Sequence, residues 1–303
     1  MNVLVTGGAG FIGSHLCEAL LGRGDRVRVV DVFDDAYDPS VKRRNLPKGV
    51  ELVEADVRAA TPAWFHGIDL VFHLAARAGV RASLGDPGLY AAVNVEGTAR
   101  VLGAAARAGG PPLVFASSSS VYGARGDDRD FAEEDAADRP ASPYAASKRA
   151  AELFCAASGL DVTAVRLFTV YGPRQRPGMA VERFATAALG GAPIPLYGDP
   201  ASARDYTEVS DAVAGLLAAA AGTSGFHVVN VAGGRVVRLD ALAAAVADAV
   251  GVPLRIDRLP AQDGDVPVTR ANLDRARSWL GWAPRVDLSA GLRRYVAWRR
   301  LSE

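Results

Sequence analysis

The seven residues Gly7-Gly8-Ala9-Gly10-Phe11-Ile12-Gly13 constrain this chain more than any other feature. They follow a short β-branched run at residues 3–5 and open an apolar stretch with helical spacing at 14–21. A strand that turns through glycines directly into a helix brings two things to one point. The backbone can approach a ligand closely, and the helix start offers unpaired N–H groups, so the turn can seat a pyrophosphate. The run satisfies G-x-G-x-x-G from Gly8 and a wider G-x-x-G-x-x-G from Gly7. A glycine cluster at such a joint can also be only a tight turn. Asp31, 18 residues after Gly13, closes the second β-branched run. A carboxylate there accepts hydrogen bonds from an adenine ribose and repels a 2′-phosphate, so the expected dinucleotide is NAD rather than NADP. Lys42, Arg43 and Arg44 come later and either read a phosphate or form a solvated face.

Short apolar runs at 3–5, 26–32, 50–54, 70–74, 113–116 and 162–167 are separated, in several cases, by helix-compatible segments at 14–21, 93–108 and 144–158. Strand–helix alternation of this kind predicts a parallel sheet covered on both faces. From Gly172 the pattern changes. Prolines crowd residues 173–200, and helical patterning follows at 180–189, 211–220, 239–250, 272–280 and 288–299, with a strand at 227–231. The fold class expected is α/β, a Rossmann-type doubly wound parallel sheet with a smaller, interleaved α/β C-terminal lobe for substrate. Residues 1–170 plus about 205–235 would bind the dinucleotide, and about 171–204 plus 236–303 would form the second lobe.

Composition removes other classes. Half of the 303 residues are apolar, and 34 basic residues balance 34 acidic ones, so there is no electrostatic footprint for nucleic acid. Cys17 and Cys155 are too far apart in sequence for a C-x-x-C pair, and a reduced, cytoplasmic setting is expected. No membrane span, secretory leader or metal site is expected. His15 and His73 read as interior residues, and the acidic stretch 127–138 as a solvated loop.

A second constellation carries chemistry. The run at 113–116 leads into Ser117-Ser118-Ser119-Ser120, and Tyr144 and Lys148 stand four apart at the head of a helical segment. Four residues is one helical turn, so phenol and ammonium share a face. The ammonium, with a positive nicotinamide ring, is expected to draw the tyrosine down from about 10 toward neutrality, where it works as a base. Ser118 is expected to bridge a substrate hydroxyl and the tyrosine oxygen.

Together with Asn94-Val95-Glu96-Gly97-Thr98, these motifs resemble the extended short-chain dehydrogenases/reductases that act on sugar nucleotides. Arg166-Leu167-Phe168-Thr169-Val170-Tyr171-Gly172-Pro173-Arg174-Gln175-Arg176-Pro177, Arg204-Asp205-Tyr206-Thr207 and Gln262-Asp263-Gly264-Asp265-Val266-Pro267 most resemble UDP-glucuronate 4-epimerases. The resemblance implies that Gly7, Gly10, Phe11, Ile12, Gly13 and Asp31 hold NAD, with Asp56 and Val57 by the adenine. Ala75 and Ala76 would lie beside the cofactor and Asn94 on its nicotinamide side. It implies that Ser119, Ser120 and Thr169 bind the uronate carboxylate, with Arg176 or Arg81 supplying charge. Arg204 would hold the diphosphate, Asp265 the uridine ribose, and Pro195 and Tyr197 the uracil. Gln262 stands where some relatives carry an arginine, which shifts phosphate binding toward Arg204 and Arg176. A homodimer built on the helices at 93–108 and 144–158 is implied as well.

Dehydratases and uronate decarboxylases of that family carry an acid in or just after the serine run, whereas positions 118–120 here are all hydroxyls. The expected reaction is therefore C4 epimerisation of a UDP-uronate. A UDP-glucose/UDP-galactose 4-epimerase is the alternative, and a 4-ketosugar reductase a more distant one.

Overall fold

The computed structural model describes residues 1–125, 129–221, 224–261 and 266–302. In chain order the strands are β1 Asn2–Thr6, β2 Arg26–Asp31, β3 Glu51–Glu54, β4 Leu70–His73, β5 Leu113–Ser118, β6 Val162–Leu167 and β7 Thr169–Tyr171. They continue with β8 Ile194–Tyr197, β9 Ala203–Glu208, β10 Phe226–Val231, β11 Val236–Arg238, β12 Ile256–Leu259 and β13 Val268–Thr269. Seven of them form one sheet in the order β10-β6-β5-β4-β1-β2-β3, and every neighbouring pair is parallel. This is the doubly wound order. The chain reverses direction across the sheet between β1 and β4, and a ligand crevice opens at the carboxyl ends of strands beside such a switch point.

The period-two alternation of strands explains why both faces are apolar. Val3 and Val5 point into one cluster with Leu16 and Leu20 of helix Phe11–Gly22 and Leu216 of helix Val209–Ala219. Leu4, between them, points into the opposite cluster with Val101, Ala105 and Ala151. A third cluster gathers helices Ala180–Leu189, Leu239–Val250 and Leu288–Ser302 around β8 and Tyr206 of β9. There β11, β9 and β13 form a small sheet with β7 joined to β9, and β12 pairs with β8.

Two sequence expectations change. The helix expected at 93–108 begins with a π-helical stretch, Ala91–Glu96, before the α-helix Gly97–Arg107. Its Asn94 is buried and bonded to the backbone of Arg77, a tertiary demand that a periodicity pattern cannot show. The acidic stretch is not a solvated loop in its described part, residues 129–138. Phe131 and Glu133 are buried, and Phe131 stacks on Tyr122 at 4.7 Å.

Candidate active site

One cleft of about 1140 Å³ opens at the carboxyl ends of the main sheet. Its floor is the glycine turn. Gly7 has φ +73°, and a Cβ there would lie 2.7 Å from the Ala75 nitrogen. A Cβ on Gly13 would lie 2.1 Å from the Gly7 carbonyl oxygen. Glycine is therefore required by close backbone approach. Gly10 starts helix Phe11–Gly22 with no side-chain cap, and Gly10, Phe11, Ile12 and Gly13 line the cleft. A helix start leaves its first N–H groups without intrahelical partners, so this donor set fits a dinucleotide pyrophosphate.

Asp31 ends β2 at the cleft wall. Its carboxylate accepts from Ala9 N–H and Phe33 N–H, both at 3.0 Å. Burial pushes its pKa above the usual carboxylate range, and the two backbone donors oppose that rise. Two fixed donors orient the carboxylate and leave lone pairs for ribose hydroxyls. Asp56, Val57, Ala75 and Ala76 also line the cleft. Asn94 lies beneath the lining, 1% exposed. Lys42 is not part of a solvated face: it is buried against Asp34 at 2.5 Å and lines the cleft. Arg43 pairs with Glu54 at 2.7 Å, and Arg44 reaches the Ser40 hydroxyl at 3.0 Å.

The reactive end is built by a capped helix. Ser142 accepts from Ala145 N–H at 3.1 Å and Pro143 takes the first turn, which starts helix Pro143–Ala157 immediately before Tyr144. Ser118, at the end of β5, accepts from Ser120 N–H at 3.2 Å and turns the serine run into the cleft. Ser118, Ser119, Ser120, Tyr144, Lys148, Thr169 and Arg176 all line it. Lys148 donates to the Ala116 carbonyl at 2.8 Å and sits over the Phe115 ring at 4.9 Å. Burial lowers it to about 8, with Cys155 and Glu152 pulling the other way.

The acidity of Tyr144 within the protein alone is set first by burial. Burial raises the phenol above its ordinary value, while a hydrogen bond with Ser118 and the Arg176 charge oppose the rise. The downward pull expected from Lys148 is not what dominates within the protein itself, because removing a phenolate from water costs more than these partners return.

Arg204 also lines the cleft, donating to the Ala203 and Pro267 carbonyls at 2.9 and 3.1 Å. Arg81 is exposed on helix Val80–Gly85 and is not among the lining residues. Pro195 and Tyr197 lie on β8, also off the lining, with the Arg183 guanidinium 4.2 Å over the Tyr197 ring. Asp265 and Gln262 fall outside the described residues.

Several supporting contacts are not visible in the sequence, although His73 is the interior residue expected. Tyr90 meets the Tyr144 ring edge-on at 6.2 Å and donates to the Ala78 carbonyl at 3.1 Å. Arg166 forks onto Glu152 with two bonds of 2.9 Å, and Glu152 accepts from Ser117 at 2.5 Å. This buried network fixes β5 and β6 against the helix that carries Tyr144 and Lys148. His73 is held by Thr6 at 2.7 Å and Thr98 at 3.0 Å, and burial lowers it to about 3, so it is neutral. Glu152 and Arg166 are 14 residues apart with no local pattern joining them, and only the fold brings them together.

Residues 3–232 match the model of the NAD dependent epimerase/dehydratase family. A UDP-glucuronate 4-epimerase of Thermodesulfobacterium geofontis (strain OPF15) is 37% identical over 98% of this chain and 95% of its own. The crystal structure of a UDP-glucuronic acid 4-epimerase from Bacillus cereus, in complex with UDP-glucuronic acid and NAD, superposes with TM-score 0.94 at 30% identity, covering 100% of both chains. MoeE5 in complex with UDP-glucuronic acid and NAD gives TM-score 0.90 at 38% identity, covering 100% of both chains. With that turn, that Tyr–Lys helix and these relatives, the chain belongs to the NAD dependent epimerase/dehydratase family.

Proposed function

We propose that the protein interconverts UDP-glucuronate and UDP-galacturonate at C4 through a transient 4-keto sugar. The observation that carries this reading is a single cleft in which the glycine turn, Ser118, Tyr144, Lys148 and the hydroxyls of Ser119, Ser120 and Thr169 all meet. NAD, when bound, supplies a hydride acceptor and donor and a positive ring whose field favours the phenolate. Gly7, Gly10, Phe11, Ile12, Gly13 and Asp31 are assigned to hold it, with Asp56, Val57, Ala75 and Ala76 along its length.

Tyr144 takes the proton of the sugar 4-hydroxyl at its phenol oxygen and returns it after the keto sugar turns over. Ser118 shares that proton through its hydrogen bond to the tyrosine. Lys148, fixed by the Ala116 carbonyl, orients the cofactor ribose. A 4-keto uronate is a β-keto acid and loses carbon dioxide when its carboxylate bond aligns with the carbonyl π system. Ser119, Ser120 and Thr169 hold the carboxylate out of that alignment. Arg176, which lines the cleft, supplies the nearby charge in preference to Arg81. Arg204 takes the diphosphate, and Asp265 the uridine ribose. We retain Pro195 and Tyr197 as uracil contacts only through the resemblance.

The same helix supports a homodimer. Leu153 and Phe154 are 54% and 48% exposed, an apolar pair that a second copy can cover. Buried free Cys17 and Cys155 fit a reducing, cytoplasmic setting. Purified protein is to be incubated with UDP-glucuronate, UDP-glucose and UDP-xylose without added cofactor. Conversion of UDP-glucuronate alone supports the reading, and conversion of UDP-glucose in preference replaces it with the neutral-hexose alternative.

A further inference from the structure

Two loops flank the glycine turn. One leaves β2 at residues 32–37 and the other leaves β4 at residues 74–79, and β1 lies between these two strands in the sheet. Asp34 of the first loop and Arg77 of the second both line the cleft. They meet across it, with Arg77 Nη1 3.1 Å from Asp34 Oδ1 and 3.4 Å from Asp35 Oδ1. Parallel strands stand about 4.8 Å apart, so the contact reaches over roughly 10 Å of sheet.

Each end of the contact is anchored. Asp34 Oδ1 also accepts from Lys42 Nζ at 2.5 Å and from Ala36 N–H at 2.9 Å, and Lys42 Nζ donates to the Asp34 carbonyl at 2.8 Å. Burial alone would raise the Asp34 carboxyl, but Lys42, the Ala36 N–H and Arg77 outweigh it and hold it below its ordinary value. The Arg77 backbone is clamped by buried Asn94. Its N–H donates to Asn94 Oδ1 at 2.8 Å, and its carbonyl accepts from Asn94 Nδ2 at 3.0 Å. Asn94 Nδ2 also reaches Ser147 Oγ at 2.9 Å, and Ser147 donates to the Tyr144 carbonyl at 2.8 Å. The tie is therefore continuous from the β2 loop to the helix that carries Tyr144.

We propose that the Asp34–Arg77 ion pair, braced by Lys42 and Asn94, is a clasp across the dinucleotide crevice that sets how long NAD stays bound. An enzyme that regenerates its cofactor in every cycle gains from slow release, whereas an exchange enzyme must open this contact on every turnover. The proposal rests on the cofactor and not on the identity of the sugar. Arg77 and Asp34 act by retention, and neither is assigned to the chemical step.

The test is the rate at which purified holoenzyme exchanges bound NAD for excess 1,N6-etheno-NAD, read by fluorescence. A partly buried ion pair of ordinary strength predicts about fivefold faster exchange in R77Q and in D34N. R77K should restore slow exchange, and the double variant R77Q/D34N should be little faster than either single one. Raising salt should speed exchange in the wild type and leave R77Q nearly unchanged. Folding is followed in parallel by thermal melting. Exchange in R77Q within twofold of wild type, or effects of R77Q and D34N that multiply as independent changes, would overturn the clasp. Should R77Q fail to fold, wild-type exchange that ignores salt and R77K exchange as fast as D34N would overturn it equally. Sugar turnover is not read in this assay, so its failure is separate from failure of the epimerase reading.

Discussion

Gly13→Ala tests the cofactor seat with a built-in control. The added Cβ would lie 2.1 Å from the Gly7 oxygen and 2.9 Å from the Gly7 carbonyl carbon and Gly8 Cα. Those atoms are backbone and cannot swing aside. Gly7 N–H is tied to the Val30 carbonyl at 2.8 Å, and the Gly7 carbonyl accepts from Gly10 N–H at 3.1 Å. Ordinary contact begins near 3.4 Å, so the turn must open by roughly 1 Å. Overpacking of this kind costs about 1–3 kcal/mol, which corresponds to about 5- to 150-fold in an equilibrium constant. That cost falls on the N–H groups assigned to the pyrophosphate. Gly22→Ala, at the other end of the same helix, meets nothing within 4 Å and should be neutral or stabilising by up to about 1 kcal/mol. Calorimetric titration of cofactor-stripped protein with NAD should show weaker binding for Gly13→Ala and unchanged binding for Gly22→Ala. Equal affinity in Gly13→Ala and wild type would refute the assignment of this turn.

Further outcomes follow from the same geometry. Tyr144→Phe should lower kcat about 10²- to 10⁴-fold with NAD still bound, measured by turnover and by cofactor content. Thr169→Val should raise the UDP-pentose by-product of UDP-glucuronate, and an unchanged product ratio by chromatography would remove the carboxylate role. Lys148 sits at about 8, below its value of about 10.4 in an unfolded chain. The unfolded state therefore holds more protons between these values, and stability rises with pH across that window by something on the order of 3 kcal/mol. Urea midpoints at pH 8 and 10 should show this gain in the wild type and lose it in Lys148→Met.

Local pattern carried much of this protein. Residues 162–167, 180–189 and 239–250 stand out as regular elements because each is apolar at the spacing its partners require, and the structure places elements at those bounds. The small strands β7, β8, β9, β11, β12 and β13 were not visible. β8 contains Pro195 and β9 reads Ala-Arg-Asp-Tyr-Thr-Glu, so neither has the β-branched density of a buried strand, and both exist through pairing with distant chain. Tyr144 and Lys148 were legible because one helical turn joins them. The Asp34–Arg77 and Glu152–Arg166 contacts were not, because only the sheet order brings β2 to β4 and the Tyr144 helix to β6. The burial that raises the Tyr144 phenol is equally absent from local pattern, since charge is written in the sequence and burial is not.

The central claim is that the hydrogen on C4 leaves the sugar and returns to the opposite face without escaping the site. UDP-glucuronate deuterated at C4 tests it directly when incubated with purified protein in ordinary water. The account predicts UDP-galacturonate that keeps its deuterium at C4, with none in solvent or in added nicotinamide cofactor. Epimerised product that has lost the label, or label recovered in the added cofactor, would contradict it.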